Sequence, residues 1–472
     1  MMPIDLRFTA AVFGFAPSDP VGKDETMDTP GTQAKARLER GRALRDTTPR
    51  SSHAVWTPKG SRDPLALLEL ASKGRLQDLV PLRNTRMVES AFTFFRGSAI
   101  VMAADLADSP VTGLRVQACG DAHCLNFGGF ATPERNLIFD VNDFDETLPG
   151  PWEWDIKRLV TSMVLAGRSL GLKKRESMSA AVTAAQAYRM RMRELAFMPA
   201  LDVFYQKLDA TKILDAARSA GVRRRRGRIA DDAATTSVRA AVEKFTDIVD
   251  GERRFIDDPP ILFHSSKTEQ HGFEVEEIIA QYAQTLAPDV RVLFDRYRLI
   301  DHAIKVVGVG SVGTRCAVAL FSADDNDSMI LQIKEARPSV LEPYVGKSAY
   351  ANQGERVVRG QRLMQSASDA LLGWASSGEH DFYVRQFKDM KASANFADAD
   401  IYQLREYARY CAVALAGAHA RSGEDDAIAG YIGKSDVFDR AIVEFAMTYA
   451  DQAEADHAQF VTAIATGEVE AA

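Results

Sequence analysis

The chain has 472 residues, 46% of them hydrophobic and 26% charged, with a formal net charge of −7. At roughly 150 residues per domain, that is room for about three domains, or two with insertions, and for a core that needs no disulfide or metal staple. The acidic balance argues against a whole-surface nucleic-acid or anionic-membrane binder, and no stretch reaches the roughly 18 apolar residues of a membrane-spanning helix.

Phe8 to Ala16 has the length of a signal-peptide core, but Asp5 spoils a positive n-region, so a docked or frayed N-terminal segment is expected. Residues 1–63 read as an irregular lead-in, polar and rich in Pro, Thr, Ser, Lys and Arg beyond residue 17. Asp63-Pro64 opens a helical pattern, and a second apolar stretch runs from Ala91 to Leu106. Leu114–Ala118 and Asn136–Val141 read as short strands. Helices are expected over Ile156–Leu170, Ser177–Met198, Val238–Val249 and Val275–Thr285, interrupted by the basic run Arg223–Arg226. Three strands follow, at Ala303–Val307, Arg315–Phe321 and Met329–Lys334, then a helix over Glu355–Leu372 and a strand over Phe382–Phe387. From Ile401 the pattern is helical again. The expected division is therefore a helical part at 64–300, a small β-rich part at 301–390 and closing helices at 391–472. The four scattered cysteines read as reduced thiols of a cytosolic protein; Cys119 and Cys124 alone make a poor zinc motif.

Three segments carry chemistry. Gly308-Val-Gly310-Ser-Val-Gly313 is a G-x-G-x-x-G run. A glycine-bearing hairpin turn explains it, and so does a loop whose backbone N–H groups cover phosphates. A strand rather than a helix follows it, which is unlike a dinucleotide fingerprint and like a kinase phosphate loop with Lys334 as its phosphate-pairing lysine. Gly120-Asp121-Ala-His123-Cys-Leu-Asn126 has the D-x-x-x-x-N spacing of a kinase catalytic loop, though all three end residues also favour plain turns. Asp140-Val-Asn142-Asp143-Phe-Asp145-Glu146 is an acidic cluster at a strand end, of the kind that offers hard oxygens to Mg²⁺. Arg83, Arg86 and Arg96 either clamp an anionic substrate or pair with local carboxylates, while the Arg223–Arg226 run reads as a solvated loop and Trp152 and Trp154 as core.

These segments occur in the order catalytic loop, acidic cluster, glycine loop, lysine, which is kinase order after circular permutation. The helix that would precede the catalytic loop is then the one ending Ala-His419-Ala-Arg421-Ser-Gly423. The stretches GDAHCLNFG, FDVNDFDETLPGPWEWDIKRL, LQIKEA, GERVVRGQRLMQ, YVRQFKDMK and ALAGAHARSG together resemble the bacterial family called domain of unknown function 2252, over about Pro49 to Val461. The resemblance implies an α+β, two-lobed fold related to protein kinases and aminoglycoside phosphotransferases, and leaves the substrate open. Carried over by position, Asp121 is the catalytic Asp, with His123 beside the transferred group. Asn126 and Asp143 are the metal ligands, Asp140 is the alternative metal ligand, and Asp155 is the buried brace of the loop. Gly308, Gly310, Gly313 and Lys334 hold phosphates, and Glu355 or Glu342 is the carboxylate partner of Lys334. The expected activity is ATP- and Mg²⁺-dependent phosphoryl transfer to a small-molecule hydroxyl. Nucleotidyl transfer to protein from the same pocket, and a non-catalytic ATP sensor or scaffold, are its alternatives, with no nucleic-acid or membrane partner.

Overall fold

The computed structural model describes residues 32–210, 238–264, 273–306, 308–324, 327–387, 392–393 and 399–472. The Phe8–Ala16 segment and the Arg223–Arg226 run lie outside them. In chain order, the first part holds helices α1 (Thr32–Thr47), α2 (Pro64–Ser72), α3 (Val80–Val88), α4 (Ala91–Gly97) and α5 (Ala99–Leu106). Strands β1 (Arg115–Ala118), β2 (Phe127–Ala131), β3 (Leu137–Val141) and β4 (Leu148–Pro151) follow. Then come α6 (Trp152–Ser169), α7 (Lys174–Leu195), α8 (Ala200–Tyr205) and α9 (Val238–Phe245). The middle of the chain holds β5 (Thr246–Val249), β6 (Glu252–Phe255), β7 (Leu262–Phe263), α10 (Val275–Tyr282), α11 (Pro288–Phe294), β8 (Arg298–Lys305), β9 (Cys316–Asp324) and β10 (Asp327–Ala336). The last part is α12 (Glu342–Val345), α13 (Gln353–Met364), β11 (Gly373–Ser377), β12 (His380–Gln386), β13 (Ala392–Ser393), α14 (Ile401–Ser422), α15 (Asp425–Ile432) and α16 (Val437–Ala465). The mixture of helix and sheet is the expected α+β class. No helix among the described residues is long and apolar enough to cross a membrane.

The helical core is organised around α6. Every residue from Trp152 to Gly167 is buried, including Glu153, Asp155, Lys157 and Arg158. Trp152 donates its ring N–H to Thr112 (3.1 Å) and stacks parallel to Tyr188, so both tryptophans of this segment serve the core as expected. Helices α7, α14 and α16 pack around α6. The end of α14 abuts β1: a Cβ on Gly423 would lie 2.6 Å from Val116 Cγ1, and the Gln117 N–H reaches Ser422 Oγ at 3.2 Å.

The second unit is a six-stranded antiparallel sheet in the order β11-β12-β10-β9-β8-β7. Both of its faces are covered, so β10 is buried from Met329 to Ala336, the polar Gln332, Lys334 and Glu335 included. Leu331 and Ile333 pack with α10, while Ile330 packs with Val318, Leu320 and Val242 on the other side. The sheet takes in β7 (Leu262–Phe263) ahead of β8 (Arg298–Lys305), so it begins before the expected boundary at 300, which falls inside β8.

Three segments differ from the sequence reading; one is the helix expected over Glu355–Leu372, which runs as α13 only to Met364. The lead-in holds the 16-residue helix α1, which docks on α15 through glycines instead of an apolar stripe. A Cβ on Gly41 would meet the Ala427 carbonyl at 1.9 Å, and one on Gly430 the Leu38 carbonyl at 2.2 Å. Val238–Val249 is helical only to Phe245, then turns into β5, which pairs with β6.

Candidate functional site

The ribbon β1–β4 pins both ends of residues 119–147, pairing Ala118 with Leu148 and Arg115 with Pro151. Between them, the hairpin β2–β3 pairs Phe127 with Val141. The D-x-x-x-x-N loop and the acidic cluster therefore leave one small sheet on the same side. Gly120, at φ +79°, makes the turn that starts the loop; a Cβ there would lie 2.4 Å from the Glu146 carbonyl.

Asp155, at the start of α6, holds this loop from beneath. Its carboxylate accepts the N–H groups of Cys119 (2.6 Å) and Gly120 (3.0 Å). His419 of α14 lies 3.1 Å from the same carboxylate through Nε2 and 2.8 Å from the Tyr188 hydroxyl through Nδ1. One turn further along α6, Arg158 donates Nε to Asp121 Oδ1 at 2.5 Å and Nη2 to the Phe95 carbonyl at 2.9 Å. Burial pushes the Asp121 carboxyl up from its ordinary value, and Arg158 pulls against it. Burial, Arg96 and Arg158 all push the His123 imidazole well down from its ordinary value. Asn126 donates its amide nitrogen to the Asp121 carbonyl (2.7 Å), which leaves the amide oxygen as the atom offered to a cation.

Above this loop lies the sheet. Lys334 on β10 is 3% exposed and donates to both oxygens of Asp145, at 2.9 and 3.2 Å. The Tyr383 hydroxyl and the Ser311 hydroxyl donate to the same carboxylate, at 2.6 and 3.1 Å. Burial alone would raise Asp145, but Lys334, the Tyr383 hydroxyl and Arg385 overcome it and hold the carboxyl at about 2. Burial works against the Lys334 ammonium, but Asp145, Tyr383 and Asp143 together outweigh it and hold the lysine above its usual pKa. Burial and the neighbouring Asp145 push Asp143 up, against the pull of Lys334 and Arg385. Glu146 accepts the Val340 N–H at 2.7 Å, yet burial pushes it up to about 7.

A cavity of ≈ 210 Å³ gathers these groups: Asp121, His123, Asn126, Asp143 and Asp145 from the loop side, Gly308, Gly310, Ser311, Lys334 and Arg385 from the sheet side. Seven expected site residues thus come together, with Arg83 and Arg96 lining the same cavity. Gly313 is not on the wall; at φ +84° it turns the chain, and its carbonyl accepts the Leu76 N–H at 2.7 Å. Among the described residues, no three His, Cys, Asp or Glu converge as a ready metal site. Asn126 and Asp143 suit a Mg²⁺ ion, which takes one or two carboxylates and completes its shell with phosphates or water.

Three expectations are corrected. Asp140 points away from the cavity, accepting from the Ser366 N–H (3.0 Å) and hydroxyl (2.9 Å) beside Arg421. Neither Glu355 nor Glu342 pairs with Lys334: Glu355 pairs with Arg359 on its own helix, and Glu342 accepts the Ser348 N–H. The residue that α13 sends toward the acidic cluster is Arg356, which donates to the carbonyls of Asp145, Thr147 and Arg337 at 2.7–2.8 Å. Lys334 takes its carboxylate from Asp145 instead, within the acidic cluster itself. Asp145, Tyr383, Arg158 and Arg385 are the groups the sequence reading did not assign. Two had a signal: Tyr383 is the cross-strand partner of Lys334, and Arg158 is three residues after Asp155 on one helix face.

A family model described as an uncharacterized protein conserved in bacteria, DUF2252, matches residues 75–463, spanning the cavity and its braces. The chain belongs to this family. Comparisons with curated proteins and with solved structures give no match. The DUF2252 match takes in Arg75, Arg83 and Arg96 as well as the loop and the sheet. Of the four cysteines, all buried and unpaired, Cys119 and Cys124 flank the Asp121 loop, and burial raises both thiols.

Proposed function

We propose that this protein is an ATP- and Mg²⁺-dependent phosphotransferase acting on a small-molecule hydroxyl, on a circularly permuted protein-kinase-like fold. The observation that carries the reading is one cavity lined by Asp121, Asn126 and Asp143 on one side and by Gly308, Gly310 and Lys334 on the other. The loop groups come from a braced turn and the others from an antiparallel sheet, which is the division of labour that phosphoryl transfer requires. The contact between Gly423 at the end of α14 and β1 supports the permutation, because it joins in space what a kinase joins in sequence.

In this reading the Asp121 oxygen not held by Arg158 accepts the proton of the acceptor hydroxyl. A bond forms between that hydroxyl oxygen and the γ-phosphorus, and the bond to the β–γ bridging oxygen breaks, its electron pair leaving on ADP. Lys334 and Arg385 offset the charge on the phosphates. Asn126 and Asp143 would hold Mg²⁺, which would supply further charge neutralisation. Asp145 keeps the Lys334 ammonium oriented, and Asp155 with His419 keeps the Asp121 turn rigid.

The test is label transfer from Mg·ATP to a panel of hydroxyl-bearing small molecules. Transfer of the γ-label, lost in Asp121→Asn, supports the reading. Transfer of the α-label instead identifies nucleotidyl transfer and overturns it, as does ATP binding with no transfer of either label.

A further inference from the structure

Arg83, on α3, is 1% exposed and lines the cavity, yet among the described residues no carboxylate lies within ion-pair distance of it. Its Nη2 donates to the Gly97 carbonyl at 2.6 Å, while Nε and Nη1 are buried without a partner. Burial, Arg75 and Arg337 all work against its charge, and no carboxylate acts on it. A guanidinium does not give up its proton in a protein, so an unpaired one in a cavity wall is costly unless an anion meets it. Arg96, on α4, lies on the same wall, and its Nε is likewise buried without a partner. Arg75 completes the group but spends Nη1 on the Val312 carbonyl (2.7 Å) and Nε on the Ala71 carbonyl (3.0 Å).

This cationic wall is separate from the lysine side. Lys334 and Arg385 have Asp143 and Asp145 as their counter-charges. Arg96 acts instead on Asp121, Cys124 and His123, the groups of the turn that would receive the acceptor hydroxyl. Arg83 and Arg96 thus line the same cavity as the catalytic Asp, and Arg96 acts on that Asp directly, where an acceptor would sit.

We infer that the acceptor is a small molecule carrying a phosphate group, held by Arg83 and Arg96 while its hydroxyl faces Asp121. Two planar guanidinium forks match the several oxygens and double charge of a phosphate better than a single carboxylate. The inference rests on the phosphotransferase reading: the new bond is between the acceptor hydroxyl oxygen and the γ-phosphorus, ADP leaves with the electron pair of the broken bond, and the product carries two phosphates.

The experiment is calorimetric titration of inorganic phosphate, and separately of acetate, into the full chain saturated with Mg²⁺ and a non-hydrolysable ATP analogue. Phosphate is expected to bind, with acetate weaker by about tenfold or more. Arg96→Met and Arg83→Met are each expected to weaken phosphate by about tenfold and to leave the affinity for the analogue within about twofold. Should Arg83→Met fail to fold, the less buried Arg96→Met decides alone. Competition between phosphate and the analogue, equal loss of both in Arg96→Met, or no phosphate binding overturns the inference while leaving the phosphotransferase reading standing. Acetate binding as tightly as phosphate overturns the phosphate assignment in favour of a carboxylate. Phosphate titration into Lys334→Met without the analogue separates the two ideas. The same Arg96 dependence there supports the anion site even if ATP binding has failed, and loss of phosphate binding there assigns it to the lysine side and overturns the inference.

Discussion

The two loops that face each other across the cavity are held in different ways. The Asp121 turn is built from below by buried side chains: Asp155 takes two of its N–H groups, His419 and Tyr188 back Asp155, and Arg158 fixes Asp121 itself. The glycine loop is held from outside. Its Gly313 carbonyl takes the Leu76 N–H, its Val312 carbonyl takes Arg75, and Ser311 reaches across to Asp145. A Cβ on Gly308 would meet nothing within 4 Å, and one on Gly310 only the Arg96 carbonyl at 3.8 Å. One wall is thus pre-organised by the core, and the other has room for a ligand to approach its backbone.

That contrast orders the expected effects of mutation. Asp155→Ala should have the largest: it removes the carboxylate that meets the Cys119 and Gly120 N–H groups and His419, and should cost about 3 kcal/mol in thermal or denaturant unfolding. Gly120→Ala comes next, because a side chain at φ +79° meets the Glu146 carbonyl. It should cost about 1–3 kcal/mol and displace Asp121, read as loss of label transfer from protein that still unfolds cooperatively. Lys334→Met should change stability less than Asp155→Ala while weakening Mg·ATP by about a hundredfold, measured by calorimetry.

A smaller effect concerns pH. The Glu146 carboxyl, ordinarily near 4.5, sits at about 7 in the folded chain because it is buried. A group whose folded pKa is raised favours the protonated native state, so its contribution is complete below about pH 4.5 and is lost as pH rises to about 7. The melting temperature should therefore fall over that interval more steeply in the wild type than in Glu146→Gln. Equal slopes would remove Glu146 as the cause. The smallest expected effect on stability is at Gly308→Ala or Gly310→Ala, within about 0.5 kcal/mol, with weaker nucleotide binding as the separate readout. A large loss of stability there would break the contrast between the two walls.

How much of this was legible in the sequence follows from what each feature rests on. The strands carrying Lys334 and the Asp121 turn were legible because their apolar runs are bounded by glycines and acidic turns, and Asp155 because it shares a long motif with the loop it braces. Helix α1 was hidden because its contact runs through Gly41 and Gly430, so no apolar stripe marks it. The partner of Lys334 is not legible because the carboxylates expected downstream, Glu342 and Glu355, are turned elsewhere, while Asp145 arrives from 189 residues away. Arg83 was noticed as one of three arginines, but that it is buried without a counter-charge depends on packing that no local pattern records.

The most direct test of the central claim is calorimetric binding of ATP with and without Mg²⁺ to the wild type, Asp143→Ala and Lys334→Met. The account predicts Mg²⁺-dependent binding to the wild type that weakens by about tenfold or more in each variant. Folded wild-type protein that shows no binding at roughly millimolar ATP, or variants that bind as well as it does, would contradict the account.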